Sequence, residues 1–194
     1  MEAPIETIKC RGGYSVEIYN DIDAPNPREE FSCLGTLYAS QRYNYDGHDI
    51  NDLFELVGCD VENGPDVWKM LGERFYYRKV WGLDHSVTRV ATGDENPWGR
   101  GWTAWDSGLV GVIVVSKEDA REEWDDEPDD IVKEKAEKIL DGEIEELDTW
   151  LRGDVYGYVV KDPTDNEVDS CWGYYAIEDA ETEGEGAAGG FCEE

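Results

Sequence analysis

Residues 109–115 read Leu-Val-Gly-Val-Ile-Val-Val, and residues 131–151 read Ile-Val-Lys-Glu-Lys-Ala-Glu-Lys-Ile-Leu-Asp-Gly-Glu-Ile-Glu-Glu-Leu-Asp-Thr-Trp-Leu. The first is a nearly continuous apolar run rich in β-branched residues, which predicts a central strand with both faces covered. In the second, Ile131, Val132, Ala136, Ile139, Leu140, Ile144, Leu147, Trp150 and Leu151 recur at intervals of three and four. That spacing predicts a long amphipathic helix with Lys133, Glu134, Glu137, Lys138, Asp141, Glu145 and Glu146 outward, closed by Gly153. Between the two, Lys117 to Trp124 begins a helix that the acidic stretch Asp125 to Asp130 interrupts at Pro128.

Upstream, Ile5 to Cys10 and Tyr14 to Tyr19 flank Gly12-Gly13, a pair suited to a hairpin turn, and Leu34 to Tyr38 is a third strand. Asn20 to Pro27 is a proline-stiffened loop without the calcium-loop pattern. Asp49 or Asn51 caps a short helix through Val57, and Gly64-Pro65-Asp66 opens another to about Phe75, with Val67, Leu71 and Phe75 on one face. Tyr76 to Thr92 is aromatic and β-branched. Downstream, Val155 to Lys161 and Val168 to Tyr175 form a hairpin around Asp162 to Asn166. The expectation is an α+β fold: a mostly antiparallel sheet with one long amphipathic helix and two short helices packed on it. It places one domain over 1–177 and an acidic Gly/Ala-rich tail over 178–194 that cannot fold independently and is expected to be flexible.

Charge dominates the composition, with 47 Asp+Glu against 17 Lys+Arg and a formal net charge of -30 over 194 residues. Residues 1–116 hold 19 acidic and 10 basic residues, while 117–194 hold 28 and 7, so the second half is the anionic pole. A field of this sign repels phosphate backbones and anionic lipid, which argues against direct nucleic-acid or membrane binding. No apolar stretch reaches the roughly 20 residues of a membrane span, and the first residues lack a signal-peptide pattern, so a cytoplasmic protein is expected. Cys10, Cys33, Cys59, Cys171 and Cys192 are odd in number and lack a Cys-x-x-Cys pair; free buried thiols are expected, with no disulfide framework and no metal centre. Nothing calls for a cofactor, and composition leaves the oligomeric state open.

Several stretches occur in a recognisable order: Leu34-Gly35-Thr36, Leu83-Asp84-His85-Ser86, Trp105-Asp106-Ser107-Gly108-Leu109-Val110-Gly111, Ser116-Lys117-Glu118, Gly153 to Tyr158, and Ser170-Cys171-Trp172-Gly173-Tyr174-Tyr175. The series resembles a family of phage and mobile-element proteins of unassigned function, marked by D-H-S, W-D-S-G-x-V-G and S-C-W-G-[FY] motifs over residues 31 to 175. Val87 stands where that family has glycine after D-H-S, and the chain is a more acidic, halophile-like example. The resemblance implies a mobile-element setting, and hence an accessory protein acting on host machinery inside the host cell. It supplies no reaction.

Three function classes follow. In the first, carboxylates imitate the phosphates of DNA and occupy the basic groove of a host nucleic-acid-handling defence protein of restriction or CRISPR type. The partner-binding residues are then Asp125, Asp126, Glu127, Asp129, Asp130, Glu134, Glu137, Asp141, Glu145 and Glu146, with Trp98, Arg100 and Trp102 of a glycine-rich aromatic loop as interface anchors. In the second, a hydrolase uses Cys171 or Ser107 as nucleophile, His85 as base and Asp106 as orienter. Against it, no nucleophile-elbow or cysteine-protease context surrounds these residues. Packing explains them as well, with Asp106 and Ser107 bonding a turn and Trp105 and Trp172 filling the core. In the third, the acidity is adaptation to molar salt alone.

Overall fold

The chain builds two sheets where the sequence predicts one. The computed structural model describes residues 3–58 and 65–191, so Cys59, Gly64 and Cys192 lie outside the described residues. Two compact units divide the chain: Met1–Pro25 together with Thr149–Glu194, and Asn26–Asp148 between them. The expected single domain over 1–177 is thus drawn as two units, one of them discontinuous in sequence.

The discontinuous unit is an antiparallel sheet of β1 (Glu6–Lys9), β2 (Ser15–Asn20), β8 (Tyr156–Lys161) and β9 (Glu167–Tyr174), in the order β1-β2-β8-β9. Both predicted hairpins form, and the turn between β1 and β2 uses Gly12 and Gly13 at φ 68 and 85, where other residues are strained. No local signal announces the pairing of β2 with β8, which sets Val16 opposite Val160 and Ile18 opposite Tyr158. The predicted flexible tail is instead largely α6 (Ile177–Phe191), whose Ala180 and Ala188 pack on Val16, Ile18, Tyr158 and Val160. A Cβ on Gly184 would stand 2.5 Å from Val16 Cγ1, so the helix backbone rests directly on the sheet. Such a helix holds by docking, which is why composition alone reads it as unstructured.

The continuous unit is a mixed sheet of β3 (Thr36–Ala39), β4 (His48–Asp49), β5 (Phe75–Asp84), β6 (Thr88–Thr92) and β7 (Ser107–Ser116), ordered β4-β3-β7-β5-β6. All neighbours are antiparallel except the two-residue β3–β4 pair. As its apolar run predicts, β7 is central, between β3 and β5. Alternation along β7 divides the core. Val112 and Val114 face Leu53 and Val57 of α2 (Ile50–Val57) and Val67 and Leu71 of α3 (Pro65–Arg74). Ile113, on the other face, meets Leu140 at Gly35, where any side chain would collide with both. Asp49 caps α2 through a capping box with Asp52, and Gly58 ends it in the left-handed conformation. Two short helices complete the unit, α1 (Pro27–Glu30), capped by Asn26, and α4 (Lys117–Glu123), capped by Ser116.

The predicted long helix is α5 (Asp129–Arg152), 24 residues that start in the continuous unit and end in the discontinuous one. Val132, Ala136, Leu140, Ile144 and Leu147 form its buried stripe, whereas Ile139 is exposed. Gly153 follows at φ 74, as its closing role requires.

Candidate functional site

The acidic residues fall into two groups. Those that face the continuous unit's sheet are neutralised. Arg28, 1% exposed, pairs with Asp46 at 2.7 Å and with Glu143 at 2.6 Å. Glu143 also accepts from the Leu34 amide (2.6 Å), and Asp46 from the Leu37 amide (2.7 Å). Burial alone would lower the Arg28 pKa, but the hydrogen bonds and charges of Asp46 and Glu143 outweigh it and hold the guanidinium more firmly charged. Arg89 grips Asp148 through two bonds of 2.7 and 2.8 Å, and Asp148 also accepts from the Val90 amide. These pairs fix α5 on the sheet, and sequence reading missed them because the partners are far apart in the chain, Arg28 lying 115 residues from Glu143. The available signal was Glu143 itself, a carboxylate beside the apolar stripe.

Of the predicted partner-binding residues, Asp141 belongs with this inward group. It bonds Arg78 at 2.8 Å and accepts from Thr92 at 2.5 Å, so it is turned to the sheet instead of outward. Glu127 pairs with Lys135 at 2.7 Å, Asp129 pairs with Arg121, and Glu137 lies 3.6 Å from Lys133. Asp125, Asp126, Asp130, Glu134, Glu145 and Glu146 are exposed. The first four gather at the junction of α4 and α5, a turn that Arg121 fastens by donating to the Glu127 carbonyl and Lys135 by standing over the Trp124 ring. The Glu146 pKa is raised by burial and by the charge of Glu143, with Arg28 opposing.

The aromatic loop is ordered and turned outward. Asn96 donates to Ser107 Oγ at 3.0 Å and accepts from the Trp98 amide, while Thr103 donates to the Trp98 carbonyl at 2.9 Å. Trp98 is half-buried against Arg89, and Arg100 is exposed. Trp102 and Trp105, on the turn Gly101–Trp105, are 97% and 93% exposed. Trp105 therefore does not fill the core, and Trp172, 47% exposed on the edge strand β9, does so only in part. Trp105 sits on a turn and Trp172 on an edge strand, positions that leave much of each indole open to solvent.

The nucleophile, base and orienter candidates meet only in part. His85 Nδ1 lies 2.9 Å from Asp106 Oδ2, both of them exposed, and the Asp84 amide donates to the Asp106 carbonyl at 2.8 Å. Asp84 itself pairs with Arg42. Ser107 Oγ is engaged by Asn96. Cys171 belongs to the other unit, where it is an exposed free thiol and not a buried one; its hydrogen bond to Tyr174, with burial second, raises the phenol pKa. Cys10 and Cys33 are half-buried.

Among the described residues, no group of three His, Cys, Asp or Glu side chains is placed to hold a metal ion, and no helix is long and apolar enough to cross a membrane. Sequence reading also missed a cavity in the discontinuous unit between Tyr19, Trp172 and the loop after β2. Set against known proteins, the chain matches no protein-family model, no curated protein and no solved structure.

Proposed function

We propose that this is a non-catalytic binding protein of a virus or mobile element, which acts in the host cytoplasm on a nucleic-acid-handling defence protein. Its exposed carboxylates at the α4–α5 junction occupy that partner's basic groove in place of DNA. The observation that carries this reading is the sorting of charge. Inward carboxylates on α5 are matched with arginines, while Asp125 and Asp126 on a fastened turn, and Asp130 and Glu134 at the start of α5 beside it, stand in solvent. Ordered, unneutralised charge is what a phosphate imitation requires. Trp102 and Trp105 offer a second, apolar contact of the kind that anchors interfaces.

The test is capture of a basic protein from host lysate, displaced by competing duplex DNA. Changing Asp125, Asp126 and Asp130 to Asn and Glu134 to Gln should slow association and flatten its salt dependence. The same number of changes at exposed Glu29, Glu30, Asp94 and Glu95 should do less; equal loss from both sets would mean that net charge alone matters. If the acidity is salt adaptation only, thermal unfolding should rise by many degrees between about 0.1 M and 2 M KCl as screening removes self-repulsion, with no partner captured. A hydrolase reading is favoured by one observation, the His85–Asp106 pair; a folded His85→Ala variant that loses all biological effect would promote it.

A further inference from the structure

In the discontinuous unit a cavity of about 420 Å³ opens between Tyr19, Trp172, Ile5, Ile22, Asp21 and Asp23, inside the range of roughly 300–1,000 Å³ usual for ligand pockets. Its aromatic wall is built by one cross-strand row: Tyr19 on β2, Gly157 on β8 and Trp172 on β9 pair in register. A Cβ on Gly157 would collide with the indole, so the glycine lets the Trp172 ring lie across β8 toward Tyr19, with centroids 6.3 Å apart and planes at 39°. The rim loop is fixed before any ligand arrives. The Asp21 amide donates to the Val155 carbonyl at 2.7 Å, Asn20 Nδ2 to the Gly153 carbonyl at 2.9 Å, and Trp150 Nε1 to the Ala24 carbonyl at 2.8 Å.

We infer that this cavity binds the arginine side chain of a basic protein partner, its guanidinium against Trp172 and Tyr19 and its charge facing Asp21 and Asp23. The aromatic wall suits an apolar or π-active occupant, and two carboxylates at the rim select a cationic one. A guanidinium satisfies both, because it is planar, weakly hydrated and stacks on aromatic faces, whereas an ammonium is compact and strongly hydrated. The potential at the wall has the required sign. Tyr19 has its pKa pushed up to about 12 by burial, by its hydrogen bond to Glu17 at 2.7 Å and by the nearby charges of Glu17, Asp165 and Glu167. The inference rests on the reading of a basic partner but uses residues outside the α4–α5 junction.

The experiment titrates the full chain with N-acetyl-L-arginine methylamide and follows by NMR the Gly157 backbone amide, which every variant below retains, together with the Trp172 indole N–H where it is present, with the lysine and norleucine analogues as comparisons. The arginine probe should give a saturable shift, the lysine probe a weaker one, and norleucine none. Trp172→Ala should weaken arginine binding about tenfold, the size of a partly desolvated cation–π contact. Asp21→Asn with Asp23→Asn should weaken it without disturbing the fold, and this variant decides the matter if Trp172→Ala does not fold. Equal binding of norleucine, or an arginine shift unchanged by the double Asn variant, overturns the inference. Failure here with partner capture still lost on neutralising the α4–α5 junction would leave the proposed function standing.

Discussion

Helices α5 and α6 both cover a sheet in an acid-rich chain, and they do so by opposite means. Helix α5 buries large apolar residues, Val132, Leu140, Ile144 and Leu147, and meets arginines with the carboxylates at the margin of that stripe. Helix α6 buries only Ala180, Gly184 and Ala188, bringing its backbone down onto Val16 and Tyr158. The charges that act on its Glu181 to raise its pKa are those of Glu6, Glu178 and Glu185, after desolvation. One helix is held by area and charge, the other by fit. A count of 47 acidic residues does not distinguish a carboxylate that anchors a helix from one that must be kept out of the interface.

The sharpest way to break this contrast is Arg28→Ala. It strands Asp46 and Glu143, both nearly buried, and should cost about 3–5 kcal/mol, read as a lower midpoint of urea unfolding. A loss below about 1 kcal/mol would mean that the pairs merely accompany α5's packing, as surface ion pairs do. On α6 the contrast predicts opposite signs at two glycines. Gly184→Ala drives a methyl into Val16 and should destabilise by about 1 kcal/mol or more, even after the helix-propensity gain. Gly186→Ala points into open space and should stabilise by about 0.5–1 kcal/mol. Both are measured by thermal unfolding, and equal effects would show that close fit does not hold the helix.

The smallest expected effect concerns pH. Glu181 has its pKa raised, first by partial desolvation and then by the charges of Glu6 and Glu178 and a hydrogen bond to Glu6. A raised folded-state value means that the contact's stabilisation is complete below the unfolded value of about 4.3 and is lost as pH rises through the folded one. Glu181→Gln should therefore raise the unfolding temperature at pH 7 and change it little at pH 4. A variant that behaves alike at both values would show that Glu6 and Glu181 do not sense one another.

Where side-chain size alternates or recurs along the chain, sequence was informative: the unbroken apolar run of β7, the three-and-four spacing of α5 and the Asp49 cap of α2 all led to the right element. It was blind where fit depends on small residues. Ala180, Gly184 and Ala188 recur every four positions, a signal present but invisible to any reading that weights residues by hydrophobicity. It was also blind to pairing across distance, since nothing near β2 names β8 as its neighbour. At the candidate site, the exposed acids of the α4–α5 junction were legible as a cluster. The inward turn of Asp141 was not, because a position at the boundary of a helical stripe takes its direction from a partner, here Arg78 on β5. Trp105 and Trp172 misled for a related reason: an indole's bulk predicts burial, yet a turn and an edge strand leave it uncovered.

The interleaving of β2 and β8 also imposes an order of events during synthesis. The ribosome releases β1 and β2 first, then the whole of Asn26–Asp148, and only afterwards β8, β9 and α6. The continuous unit has all its strands in hand while the other still lacks half of its own, so it is placed to fold first. Meanwhile the β1–β2 hairpin waits with the pairing edge of β2 open and with Val16 and Ile18 uncovered, which is the condition under which nascent chains stick to one another. Closing Asn20 onto Gly153 through a free chain of 133 residues would cost about 4 kcal/mol of loop entropy. A folded intervening unit removes most of that search, so a slowly folding variant of residues 26–148 should reveal itself as aggregation begun by the first hairpin.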